Sequence, residues 1–198
     1  MKADVWLSTT AEGRPVVVKD FQRKPFWGRL WGRLQIRREA RALRRVAGLE
    51  VAPRVLGSLG ALTLVLEYYE GELLARRGAG EDNRPGLERL RRSLEAIHLR
   101  GVTHNDLRGR GNILLRTDGS VLLLDWAGAI HLRPGGLPHR LFFGLLSRVD
   151  ESAYLKWKSL LDPASMSEQE RARLRRFRRW RLAWPFNRKG LGDTSLPR

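Results

Sequence analysis

Cysteine is absent from the 198 residues, which excludes disulfides, thiolate zinc sites and a cysteine nucleophile, and with them the small disulfide-stapled secreted scaffold. Acid is scarce: 21 Asp and Glu face 38 Lys and Arg, for a formal charge of +17. That excess is silent about fold, but its field draws phosphates, nucleic acid or an anionic membrane face and repels cationic ligands. Long apolar runs are missing too. The longest, Leu62 to Leu66 and Leu141 to Leu146, are core-sized, far short of the roughly 20 residues a membrane-spanning helix needs. The segment Met1 to Trp6 lacks a basic stretch followed by an apolar run and a small-residue cleavage site, so no signal peptide is read and a cytoplasmic location is expected. The four histidines, at 98, 104, 131 and 139, show no paired-ligand spacing. At 42% hydrophobic, the chain can bury the core of one ordinary domain or two small lobes.

What is present falls into an ordered series of elements. Val5 to Ser8 and Pro15 to Lys19 read as two strands joined by a polar turn holding Glu12, Gly13 and Arg14. Between Phe21 and Val46, nine basic residues surround one acid, Glu39, while Ile36, Ala40, Leu43 and Ala47 recur at helical spacing. Glu39 lies three residues from Ile36 and four from Leu43, so the lone carboxylate is expected on the core side. Gly48 closes this helix; Val55 to Leu56 and Leu62 to Tyr68 supply two strands, and Glu67 to Gly71 forms a turn-bearing connector. Asp82 to Pro85 opens a second helix, whose buried face is Leu87, Leu90, Leu94 and Ile97 and whose stop is Gly101. Asn112 to Arg116 and Val121 to Asp125 flank an Asp118-Gly119 turn, a hairpin that brings Asn112 and Asp125 together. Further helices are expected near Pro138 to Ser147, Glu151 to Leu161 and Ser167 to Trp184, with a frayed tail over 191–198.

Four signals stand in one order: a strand ending in Lys19, a helix presenting Glu39 inward, a loop His104-Asn105-Asp106 followed by Asn112, and Asp125 at the end of the hairpin. Phosphoryl transfer from a nucleotide needs a cation on the phosphates, a partner holding it, oxygen ligands for magnesium, and a carboxylate to orient and deprotonate the attacking hydroxyl. Lys19, Glu39, Asn112 with Asp125, and Asp106 are the residue types for those tasks. Magnesium takes oxygen ligands and keeps waters, so one carboxylate and one amide beside substrate phosphates are enough. Any one of these residues has a plainer reading, as a solvated strand lysine, an internal ion pair or a turn former; their conjunction in order carries the signal.

Over roughly residues 3 to 130 the sequence resembles the protein-kinase-like superfamily. Val16-Val17-Val18-Lys19 is similar to V-A-I-K, His104-Asn105-Asp106 to H-R-D, and Asp125-Trp126-Ala127 to D-F-G. Within that superfamily it resembles the compact bacterial branch of RIO-like atypical kinases and lipopolysaccharide-core sugar kinases, and Ala3-Asp4-Val5-Trp6 is similar to the end of the RIO-type phosphate loop. The resemblance implies an α+β, two-lobe fold: a truncated amino-terminal β lobe over 1–70 and a mostly helical lobe with the catalytic loop over 71–190. ATP would lie between them, against Ala3, Val5 and Lys19 and the connector residues Glu67, Tyr68 and Tyr69.

The chain departs from the family pattern at four points. Ala3 replaces the last glycine of the phosphate loop, Asn112 follows Asp106 by six residues rather than five, Trp126 and Ala127 replace Phe and Gly, and no A-P-E segment follows Asp125. Arg108 is the residue favoured for steadying the transferred phosphate. From Arg171 to Gly190 nine basic residues and no acid interleave with Phe177, Trp180, Trp184 and Phe186. That composition suits a helix resting on anionic lipid at the inner membrane face, although stacking and phosphate contacts to RNA would use the same side chains. The expected function is an ATP- and magnesium-dependent kinase acting on a hydroxyl of a protein Ser or Thr, or of a lipopolysaccharide-core sugar. The alternative is a pseudokinase that uses its basic surface to bind RNA, anionic lipid or a protein.

Overall fold

The computed structural model describes residues 2–183, with side chains described through residue 179. The expected helix at Ser167 to Trp184 therefore ends beyond the description, and the side chains of Trp180, Trp184, Phe186, Arg188 and Lys189 and the frayed tail lie outside it. The architecture is α+β, with small antiparallel sheets packed beside helices.

A hairpin opens the chain: β1 (Asp4–Thr9) pairs antiparallel with β2 (Pro15–Asp20), with Val5 opposite Lys19 and Trp6 opposite Val18. Helix α1 (Phe26–Val46) then crosses to β3 (Val55–Leu59) and β4 (Thr63–Glu67), giving a four-stranded sheet of order β1-β2-β4-β3. Alternation along β2 sends Val16, Val18 and Asp20 to one face and Val17 and Lys19 to the other. Opposed residues of paired strands share a face, so Val5 joins Lys19, and Leu66 of β4 joins Val17. That face becomes one wall of the site.

Helix α1 buries Ile36, Glu39, Ala40, Leu43 and Val46, and so carries the lone acid inward as its spacing predicts. Gly32 is required on the same face, because a Cβ there would run into the ring of Phe21. The rest of the chain adds β5 (Gly71–Leu73), α2 (Arg84–Leu99), β6 (Val102–Thr103), β7 (Ile113–Arg116), β8 (Val121–Leu123), β9 (Ile130–His131), α3 (Leu137–Leu161) and α4 (Glu168–Ala183). The β7–β8 hairpin takes β5 along its edge, and β6 pairs with β9. Gly101 ends α2 in the left-handed conformation at φ 69°, where a Cβ would strike the Leu132 carbonyl oxygen. One continuous core, including Phe21, Leu64, Leu90, Ile97, Trp126 and Trp157, joins sheet and helices.

The sequence reading divides the segment after Gly136 into two helices; the structure has a single helix of 25 residues. Nothing between Ser147 and Glu151 breaks it, since Arg148, Val149 and Asp150 include neither glycine nor proline. Among the described residues, no helix is long and apolar enough to cross a membrane.

Candidate functional site

The wall formed by β1, β2 and β4 faces the loops flanking β7 and β8 across a cleft of about 850 Å³. Ala3, Val5, Lys19, Glu39, Glu67, Tyr68, Tyr69, Asp106, Asn112 and Asp125 all line it. Residues from widely separated stretches of sequence thus meet in one volume.

At its centre is a three-membered charge cluster. Lys19 Nζ donates to Glu39 Oε1 at 2.5 Å and to Asp125 Oδ1 at 3.1 Å. The side chains of Lys19 and Glu39 are 12% and 3% exposed, whereas that of Asp125 is 49% exposed and open to the cleft. Burial alone would lower the Lys19 pKa, but the two carboxylates outweigh it and hold the ammonium above the ordinary lysine range. Burial pushes the Glu39 carboxyl up, opposed by Lys19. Burial would also raise Asp125, yet Lys19 and the backbone N–H of Ala127 bring its carboxyl below the usual range. The cluster is therefore an ammonium positioned by an interior carboxylate and shared with a carboxylate that faces solvent.

The backbone is held in uncommon conformations here. Asn105 (φ 65°) and Asp125 (φ 60°) both occupy the left-handed region, a conformation that short polar side chains tolerate and that concentrates at functional sites. A buried acid that the sequence reading missed supports this geometry. Asp150, wholly buried on α3, accepts from the backbone N–H of His104 at 2.8 Å and of Asn105 at 2.7 Å, with His98 Nε2 at 3.0 Å. Trp157, two turns further along α3, donates from Nε1 to the Leu107 carbonyl at 2.8 Å. Helix α3 thereby anchors the loop bearing Asp106 from behind.

His104 is wholly buried, and both of its ring nitrogens face backbone groups. Its Nε2 lies 3.0 Å from the Leu124 carbonyl, its Nδ1 lies 3.4 Å from the Asp106 N–H, and its ring packs 4.7 Å from that of Trp126. A carbonyl can only accept, so Nε2 carries the proton and Nδ1 is the acceptor. Burial lowers the His104 pKa and keeps the ring neutral. Asn112 donates through Nδ2 to the Asp106 carbonyl at 2.6 Å, and among the described residues its Oδ1 has no hydrogen bond. The Asp106 carboxylate has no hydrogen bond or ion pair among the described residues, and the side chain lines the cleft.

The connector wall is stiffened by Tyr69, whose hydroxyl donates to Glu67 Oε2 at 2.6 Å and whose ring lies under the Arg116 guanidinium. Burial and that hydrogen bond push its phenol up to about 12, so it remains a donor. Arg108 requires a correction. Its guanidinium donates to the carbonyl and hydroxyl oxygens of Ser152 on α3, at 2.9 and 3.2 Å, and it does not line the cleft. The physical reason is that α3 offers it fixed acceptors on the far side of the loop. The cleft has instead Arg38, beside Trp31 and Gln35 on α1, and Lys2. The sequence reading places neither Arg38 nor Trp31 at the site.

The chain is thus an α+β protein with a charged cleft between a small sheet and the loops flanking β7 and β8. No family model matches the chain. It is similar to a protein of Streptomyces coelicolor named as a probable SapB synthase, 37% identical over 123 residues. The match covers 52% of this chain, and the chain spans 13% of that relative's length.

Proposed function

We propose that this protein is an ATP- and magnesium-dependent phosphotransferase of protein-kinase-like, two-lobe architecture, acting on a hydroxyl acceptor. The observation that carries the reading is the convergence of Lys19, Glu39, Asp106, Asn112 and Asp125 on one cleft, with Lys19 held between two carboxylates. An enzymatic role is in keeping with the synthase name of the Streptomyces relative, which says nothing of phosphate.

In this reading Lys19 binds the nucleotide phosphates as an ammonium whose position Glu39 fixes. The purine lies against the apolar wall of Val5, Val17 and Leu66 and the connector at Glu67 to Tyr69. The carboxylate of Asp125 and Oδ1 of Asn112 are hard oxygen donors that suit magnesium, which, when bound, neutralises charge on the phosphates. Among the described residues no three His, Cys, Asp or Glu side chains form a closed cage; phosphate and water would complete the shell. Asp106 orients the acceptor hydroxyl and takes its proton as the new O–P bond forms and the β–γ bridging bond breaks, releasing ADP. Among the described residues nothing pairs with its carboxylate, which is open to the cleft.

Arg38 and Lys2 add positive charge at the cleft, favouring an anionic acceptor such as a lipopolysaccharide-core sugar over a protein Ser or Thr, at the cytoplasmic side of a membrane. The test is transfer of the γ-phosphate of labelled ATP to core glycans and to a general protein substrate. Asp106→Ala is expected to lower transfer by about 10² to 10⁴-fold with the unfolding midpoint unchanged. Equal transfer by variant and wild type would remove Asp106 from the mechanism.

A further inference from the structure

We propose that the outward face of α1 is a docking surface for an anionic lipid bilayer. This surface is separate from the basic helix near the carboxy terminus and independent of the phosphotransfer reading. Plotted at about 100° per residue, Phe26, Trp27, Leu30, Trp31 and Leu34 fall in one sector. The buried Gly32, Ile36, Leu43 and Val46 occupy the opposite one. A helix packed against a core ordinarily keeps its outer face polar, yet these five large apolar side chains are between 47% and 74% exposed.

Further along the helix the same face continues into Arg37, Arg38, Arg41, Arg44 and Arg45, all exposed. Arg29 and Arg33 border the apolar stretch, and the helix's only acid, Glu39, is buried on the other side. None of these seven arginines is ion-paired among the described residues. The face is thus an apolar and aromatic wedge followed by uncompensated positive charge.

The composition selects among occupants. A second copy of this chain would bring another face with seven exposed arginines and no exposed acid against the first, and like charges repel. RNA would use the arginines and could stack on Trp27 or Phe26, but gains little from Leu30 and Leu34. An anionic bilayer uses every part: tryptophan and phenylalanine settle at the headgroup level, leucine reaches the acyl boundary, and arginine meets lipid phosphate. Trp31 and Arg38 belong both to this face and to the lining of the cleft, so docking would bring the cleft mouth to the bilayer surface.

A chain of +17 is drawn to any anionic surface, so the discriminating variant leaves charge alone. Trp27→Ala combined with Leu30→Ala and Leu34→Ala removes exposed side chains outside the cleft lining. The full chain is sedimented with phosphatidylcholine vesicles containing about 30% phosphatidylglycerol, and with phosphatidylcholine alone, at ~0.15 M salt. Wild type should partition to the anionic vesicles, and the apolar variant at least about tenfold less. A second pair of variants tests position: Arg33→Gln, Arg37→Gln and Arg41→Gln together, against Arg175→Gln, Arg178→Gln and Arg179→Gln on α4. The α1 set should lose more. Equal partitioning of the apolar variant and wild type, equal losses from the two arginine sets, or no wild-type binding would overturn the proposal. So would a wild-type dimer dissolved by the apolar variant, or retention by RNA that the apolar changes abolish while vesicle binding persists.

Discussion

Lys19 and the arginines of α1 are cations within a short distance of one another in the sequence, and the protein treats them in opposite ways. Lys19 is taken out of water and met by Glu39 at 2.5 Å and Asp125 at 3.1 Å. The seven arginines of α1 remain exposed and, among the described residues, have no ion pair. The first arrangement fixes one charge to a point in the cleft, at the cost of desolvating it. The second leaves a field, which steers and adsorbs anionic ligands but orients none of them. Net charge alone does not distinguish the two, because what matters is where the acids lie: Glu39 and Asp125 line the cleft, and Asp150 holds the loop behind it.

Substitutions in the two regions should differ in cost by several-fold. Asp150→Ala should have the largest effect on folding, because it leaves the His104 and Asn105 N–H groups and the His98 imidazole without their acceptor. A loss of about 4 kcal/mol in urea unfolding is expected. Lys19→Met should follow, at about 3 kcal/mol, since Glu39 is left buried without its cation; a double variant with Glu39→Met should recover most of it. Acidification should cost less. Burial lowers the folded-state pKa of His104, so its contribution is complete above the unfolded value of ~6.5 and is lost as pH falls through the folded value. Unfolding midpoints measured from about pH 8 down to pH 5 should decline, and His104→Gln should flatten that slope. Arg37→Met belongs at the bottom of the series, within about 0.5 kcal/mol of wild type. A cost for Arg37→Met as large as that for Lys19→Met would dissolve the distinction between the two regions.

Much of the cleft was legible because its residues obey short-range rules. Glu39 lies on the Ile36 to Leu43 stripe and is buried there. The Asp118-Gly119 turn joins β7 to β8, and the Asn112 carbonyl accepts from Leu124 N–H at 2.9 Å, so Asn112 and Asp125 come together as the hairpin requires. Asp150 obeys the same rule as Glu39: with Ala153, Trp157 and Leu161 it forms the buried stripe of α3. The sequence reading divides the helix at that point and so cuts the stripe before its polar member. Arg108 failed for another reason. A flexible side chain in a loop takes whichever acceptor the tertiary structure offers, here Ser152, forty-four residues away in sequence. Strands β6 and β9, of two residues each, carry too little pattern to be read before the fold pairs them.

On the proposed function, the cleft binds a magnesium nucleotide through Lys19, Asn112 and Asp125. The most direct test of this is the thermal midpoint at moderate salt with and without Mg-ATP, for wild type and Asp125→Asn. A ligand at a hundred times its Kd adds about 2.7 kcal/mol, which for a chain of this size raises the midpoint by about 5 to 10 °C. A magnesium-dependent rise is expected in wild type and is expected to disappear in Asp125→Asn. An unchanged wild-type midpoint at saturating Mg-ATP would contradict it.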